Sequence, residues 1–340
     1  MAKEGCMKNP ILVAVLLLGM VLSAFAGGGT EDADQTFEFS CGSVDAIGTF
    51  SERSVQVIAD TLAELSDGKL KIKSFPANQL GNPPEMIDQC SMGALDMLFV
   101  NISNFGPVMK DYNVFGMGYT FRSQEHMIKF LEKSDDYERM KQELLDKKGI
   151  ITLDSTFMVP PRDVFSKKEI RSPDDFKGMK FRVPGLEMYL KTFEAMGTQP
   201  VRIAYAEAYM ALSQGLVEGI ENPLTSGSGM KFHQVAKYIV PTGHIRSSIV
   251  FAMNNEKWQQ LTPENQELLM QAIQTGKDFY TNQMEDELAA VKKKMTDEGA
   301  VFLPAIDISG FQAKLAETAR ELEAGGSWTA GMWERIQEIK

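Results

Sequence analysis

The chain has 340 residues and sets 46 Asp and Glu against 35 Lys and Arg, a formal net charge of −11 at pH 7. That acidity disfavours a nucleic-acid partner, because neutralising phosphates takes Lys and Arg gathered on one face, but it leaves room for a small anion in a locally positive pocket. The length exceeds one ordinary hydrophobic core and predicts two α/β domains.

In chain order, Lys3 and Lys8 flank the start of an apolar run from Ile11 to Leu22, and Ala24-Phe25-Ala26 has the small-x-small form of a cleavage site. Residues 1–26 therefore read as a cleaved export signal, with Met7 a better opening for it than Met1. The apolar run of roughly 12 residues falls short of the about 20 that a membrane span needs, and no later segment is long and apolar enough. No cysteine follows it in lipobox position. The mature protein is expected to be periplasmic and not membrane-inserted, with a formal charge of about −12; an uncleaved N-terminal anchor is the alternative. Cys6 leaves with the signal. Cys41 and Cys90 remain, in contexts that suit buried small hydrophobes as well as a disulfide, which stays open.

Residues 27–36 begin as a small, polar, acidic run and read as a flexible leader before a first strand near Phe37 to Cys41. Val55, Ile58, Leu62 and Leu65 recur at helical spacing, and Asp67-Gly68 stops that helix. Leu70 and Ile72 alternate with Lys71 and Lys73, a strand with one wet face. A short helix with prolines in its first turn, Asn82 to Met92, leads to the buried-strand run Leu95 to Val100. This alternation implies parallel pairing. A second α/β unit follows over residues 150–245, with short apolar runs separated by patterns such as Tyr205, Tyr209, Leu212 and Leu216. Thr262-Pro263-Glu264 opens a helix that no proline interrupts until about Glu298; some 50 Å long, it could lie across both domains.

Catalytic signatures are mostly missing. His126, His233 and His244 stand apart, with no metal-binding spacing, and no glycine-rich loop is placed to cradle phosphate, so no metal or cofactor is expected. Ser226 stands where a nucleophile elbow would need glycine before Gly227-Ser228-Gly229. Asp174-Asp175 sits where it begins a helix. What remains is Lys180-Phe181-Arg182-Val183-Pro184, an extended segment whose end can aim one guanidinium into a cleft and hold a carboxylate through two parallel hydrogen bonds. Taken alone, such an arginine is more often a surface or ion-paired residue. Arg162 after Pro160-Pro161 is equally ambiguous, and Asp163 beside it is a candidate neutraliser.

The segment from Gly197 to Pro223, with Tyr205-Ala206-Glu207-Ala208-Tyr209 and Glu221-Asn222-Pro223, follows that arginine. Gln79-Leu80-Gly81, Gly93-Ala94-Leu95-Asp96-Met97, Ser172-Pro173-Asp174-Asp175-Phe176-Lys177-Gly178 and Thr242-Gly243-His244 stand in matching order. Together they resemble the signature of TRAP-transporter solute-binding proteins of the dicarboxylate-binding (DctP) class, over essentially the whole mature chain. The resemblance implies a two-domain α/β periplasmic-binding-protein fold, type II-like, with the long helix spanning both domains. Residues 37–159 with roughly 248–287 would form the first domain, and 160–247 with roughly 288–340 the second. It implies a non-enzymatic monomer that captures a small organic acid, of sugar-acid or C4-dicarboxylate type, and delivers it to small and large TRAP permease subunits.

By the same resemblance Arg182 anchors the ligand carboxylate, Asn222 helps to hold it, and Arg162 is a second anion contact, although Pro161 and Asp163 beside it depart from the usual pattern. Tyr205 packs on the ligand or, equally, in the core. His244 joins a polar network near the site or is simply a satisfied structural histidine. Asp45 and Asn101 end strands of the first domain where family members present polar groups; a carboxylate at Asp45 accepts from a hydroxyl and repels a second carboxylate. The rival readings are the binding component of an ATP-driven uptake system, a sensory receptor's ligand-binding partner, and a periplasmic lyase.

Overall fold

Local capping and apolar spacing start the first lobe. The computed structural model describes residues 36–340, so the expected export signal and the expected leader up to residue 35 lie outside the described residues. Strand β1 (Phe37–Ser43) leads to helix α1 (Phe50–Leu65), whose first turn is capped by the Thr49 hydroxyl accepting from Glu52 N–H. Val55, Ile58 and Leu62 form its buried face, while Leu65, in the last turn, is exposed. Gly68, with φ of 77°, closes the helix through its N–H to Ala63 O at 2.7 Å. In β2 (Leu70–Phe75) Leu70 and Ile72 are buried and Lys71 and Lys73 exposed. Helix α2 (Pro83–Ser91) starts with a capping box between Asn82 and Glu85, and β3 (Met97–Asn101) is almost wholly buried. The strands β2 and β3 flank β1 in parallel. Cys41 and Cys90 are both buried free thiols, as small hydrophobes.

Helices α3 (Gln124–Lys133) and α4 (Asp135–Lys148) precede β4 (Ile150–Val159), the last strand before the chain crosses through Pro160-Pro161. The second lobe begins with β5 (Arg162–Ser166), β6 (Lys180–Val183), helix α5 (Glu187–Ala195), β7 (Gln199–Arg202), helix α6 (Ala208–Ser213), β8 (Gly219–Pro223), helix α7 (Leu224–Gly229) and β9 (Tyr238–Val240). The chain then returns, and β10 (Ser247–Asn254) inserts antiparallel between β3 and β4. With the later β11 (Val301–Phe302), the two sheets run β2-β1-β3-β10-β4 and β11-β9-β5-β8-β6-β7. Their two links lie side by side, tied by Arg162 N–H to Ile245 O at 3.0 Å. The expected Tyr205 to Leu216 face is cut short: α6 stops at Ser213, so Leu212 is buried but Leu216 is exposed.

After α8 (Asn255–Gln259), α9 (Pro263–Asp297) runs for 35 residues from its Thr262 cap. Its Leu269, Ala272, Ile273 and Tyr280 belong to the core over the first sheet, and its Val291 and Met295 to that of the second, so one helix serves both lobes. Gly276 is where α9 crosses α1: a Cβ there would lie 2.2 Å from Ile58 Cγ1 and 3.2 Å from Ser54 O. Gly276→Ala is therefore expected to destabilise the fold by about 1–3 kcal/mol despite alanine's better helix propensity. Urea unfolding checks this; a variant at least as stable as the parent would contradict so close a crossing.

Strand β11 (Val301–Phe302) joins β9, and α10 (Ser309–Ala324) packs on α5, both in the second lobe. The end of the chain, expected there too, instead bonds to the first lobe. Thr329 donates through N–H and hydroxyl to Asp111 at 2.7 and 2.8 Å. Around α11 (Met332–Glu338), Arg335 pairs with Asp136 and Ile336 O meets His126 Nε2 at 2.8 Å. Buried Met332, Trp333 and Ile336 supply the apolar reason for this docking.

Candidate functional site

A cavity of about 440 Å³ is walled by the ends of strands from both sheets. Asp45, after β1, and Asn101, at the end of β3, come from the first lobe; Arg162 (β5), Arg182 (β6), Asn222 (β8) and Tyr205, in the turn before α6, come from the second. Six of the seven residues singled out in the sequence thus line one space. His244 does not line it.

Arg182 is the third residue of β6 and is 1% exposed. Its Nε donates to Ile203 O at 2.9 Å, and its guanidinium carbon sits 5.7 Å from the Tyr205 ring centre. It has no carboxylate within ion-pairing distance among the described residues. Burial of a charge without its counter-charge, with Arg162 adding repulsion, outweighs the pull of Glu221 and brings its pKa down to about 10. Arg182 remains a cation at neutral pH and one in want of an anion.

Arg162 differs in kind. The antiparallel register sets it opposite Pro223, so Glu221 lies diagonally across on β8 within reach of a long side chain. Nε and Nη2 of Arg162 both bond to the Glu221 carboxylate, the latter at 3.0 Å. Glu221 is 0% exposed. Burial alone would raise its pKa, but Arg162 and His244 hold it down at about 2. Asp163, the expected neutraliser, faces away, because successive strand residues alternate; its carboxylate accepts from Gly243 N–H at 3.1 Å. Burial pushes its pKa up to about 6.

His244 stands behind the wall. Its Nδ1 is 2.7 Å from Thr242 Oγ1 and its Nε2 is 3.7 Å from Glu221 Oε2. Burial lowers its pKa against the pull of Glu221. It backs the carboxylate that backs Arg162.

The uncharged groups have directed valences. Asn222, 2% exposed, donates from Nδ2 to the Tyr205 hydroxyl at 3.2 Å. The Tyr205 ring meets Phe232 edge-on at 6.0 Å, as the core reading expects, and its side chain also forms part of the cavity wall. Asn101 Oδ1 already accepts from Ser103 N–H, Ser103 Oγ and Ser247 Oγ at 3.1, 2.8 and 2.8 Å. Its amide nitrogen is left to donate. Asp45 is half-buried, and burial raises its pKa against the hydrogen bonds of Ser226 and Ser51 and the charge of Arg162.

Glu221, Tyr189, Ser103, Ser226 and Arg202 were not assigned roles from the sequence. Only Glu221 carried a readable signal, an acid inside the buried strand Gly219–Pro223. The others come from two helices, a 3-10 turn and a strand end that only the tertiary structure gathers. The arrangement can hold a small anion on Arg182 and hydrogen-bond several hydroxyls around it.

Comparison with known proteins agrees with that chemistry. The model of the bacterial extracellular solute-binding protein family 7 (DctP) matches residues 42–325. The chain is similar to the sialic acid-binding periplasmic protein SiaP of Vibrio cholerae serotype O1, with 27% identity over 316 residues, 93% of this chain and 95% of that protein. A TRAP periplasmic solute-binding protein from Pseudomonas putida F1, solved with bound D-glucuronate, superposes with a TM-score of 0.80 at 26% identity, covering 89% of this chain and 98% of that one. One from Sulfitobacter sp. NAS-14.1 shares the fold with a TM-score of 0.81 at 24% identity, over 89% and 99% of the two chains.

Proposed function

Since the chain belongs to family 7 of the bacterial extracellular solute-binding proteins, we propose that it captures a small organic carboxylate in the cleft between its two lobes and hands it to a TRAP membrane permease. Buried Arg182, a cation without a counter-charge on the cavity wall, is the observation that carries this reading. The relatives named for sialic acid and glucuronate are similar over most of their length, and both of those ligands are carboxylates.

The ligand carboxylate pairs with Arg182 through two parallel hydrogen bonds, and Asn222 and the Tyr205 hydroxyl complete its surroundings. Arg162, occupied by Glu221, contributes a rigid positive wall more than a free clamp. Because first-lobe groups at Asp45 and Asn101 face the same cavity, a ligand touching both walls favours the closed arrangement, with the paired links at 160–161 and 241–246 as the hinge. Chemistry on the ligand is no part of this scheme, and transport requires it to leave unchanged. No helix of the described residues is long and apolar enough to cross a membrane; with the export signal read at residues 1–26, the place of capture is the periplasm.

A thermal-shift screen of organic and sugar acids tests the reading. An acid present at 100 times its dissociation constant adds about 2.7 kcal/mol of stability, enough to move the melting temperature by several degrees. At least one carboxylate should do so, and neutral sugars should not; a protein that no acid shifts would overturn the proposal.

A further inference from the structure

Resting on the carboxylate reading above, we infer that the ligand is a polyhydroxylated acid with a single carboxylate, and that Asp45 is the residue that rejects a second one. Charge is the first ground. The cavity wall carries Arg162, Arg182, Arg202 and Asp45, and Glu221 is bonded to Arg162 directly behind it. Inside the cavity one buried guanidinium has no carboxylate partner, so one ligand carboxylate finds a cation there and a second does not. The Arg162 charge is taken by Glu221, and Arg202, on an exposed strand end, is screened by water. Only Arg182 is buried, cationic and unpaired.

The second ground is what surrounds that anchor. Asn82, Asn101, Asn104, Ser103, Ser226 and Asn222 supply uncharged polar groups to the same cavity. Such groups match hydroxyls, which both donate and accept, whereas a carboxylate only accepts. Against them the apolar lining of Val100, Val159 and Ile249 fits the carbon chain.

Asp45 decides between the two ligand classes. It reaches the cavity from the first lobe and has no ion-pair partner within 4 Å among the described residues; the Ser226 and Ser51 side chains lie near enough to favour its charged form. Arg162, whose charge favours its ionised form, is already engaged by Glu221. A ligand hydroxyl can donate to the Asp45 carboxylate. A second ligand carboxylate meets it as a like charge in a half-desolvated cleft, a repulsive element that discriminates without any steric block.

The test uses aldonates of four to six carbons, each paired with the aldarate in which the terminal CH2OH is replaced by carboxylate. Isothermal titration of the full mature protein at pH 7.5 and fixed ionic strength gives the affinity ratio within each pair. The wild type should bind the best aldonate about tenfold or more tighter than its aldarate. Asp45→Asn, which keeps shape and removes charge, should bring the two within about threefold, mainly by a gain on the aldarate side. Asp45→Ser, smaller and also neutral, should move the ratio the same way. Aldarates bound by the wild type as tightly as aldonates, or an unchanged ratio in both variants, would overturn the inference while leaving carboxylate capture intact. Failure of every acid in both series to bind would remove the carboxylate reading itself, and this inference with it.

Discussion

Arg182→Ala is expected to weaken carboxylate binding by about 2–5 kcal/mol, from tens-fold to thousands-fold in affinity. The size follows from burial: at 1% exposure the guanidinium is out of water, so a bidentate contact with a ligand carboxylate is weakly screened. Arg182→Lys should recover only part of the loss, since an ammonium cannot present two parallel donors in a fixed plane. Unliganded stability should behave differently. In the free protein this cation lacks a counter-charge and its pKa is depressed by burial, so it holds a cost that ligand binding relieves. Arg182→Met, which keeps most of the volume, should leave urea unfolding of the free protein unchanged or shift it to higher urea, while calorimetry shows binding lost. A large drop in stability with affinity intact would mean that Arg182 serves the fold and not the ligand.

Glu221→Gln is expected to have the opposite signature, a large loss of stability. Removing that carboxylate leaves Arg162 buried without compensation, a change that costs about 3–5 kcal/mol when one partner of a buried pair is deleted. The double variant Arg162→Met/Glu221→Met should recover much of the loss, because neither charge is then stranded. The pH dependence has a definite sign. The folded pKa of Glu221, about 2, lies below its ordinary value of 4.5. Its contribution is therefore fully present above pH 4.5 and is lost as pH falls toward 2, when the unfolded chain takes up the proton first. Urea midpoints measured from pH 7 to pH 2 should show the gap between wild type and Glu221→Gln closing across that window. A gap that stays constant would show that the carboxylate is not held ionised by Arg162.

The architecture is legible in the sequence because local signals and global packing agree. The Thr262 cap, the alternation of Leu70 to Lys73 and the glycine stop at Gly68 each fall where the chain folds as they imply. The long helix is legible from its proline start to about Glu298, and the close approach of α1 explains why Gly276 stands inside it. The tail is not: Thr329 and Arg335 find Asp111 and Asp136 some two hundred residues away, and no local pattern announces such partners. In the site, Arg182 stands out through its motif, but its unpaired state is a tertiary fact. Asp163 looks like the partner of Arg162 by adjacency, and strand alternation sends it the other way, to Gly243. The real partner, Glu221, sits 59 residues on and becomes a neighbour only through the β5–β8 register.

A crystal structure of the protein with the acid that shifts its melting temperature most tests the central claim most directly. The expected result is a ligand carboxylate with both oxygens about 2.7–2.9 Å from the Arg182 guanidinium nitrogens, with Arg162 still bonded to Glu221. A carboxylate seated on Arg202 or Arg162, with Arg182 facing water or a neutral part of the ligand, would contradict it.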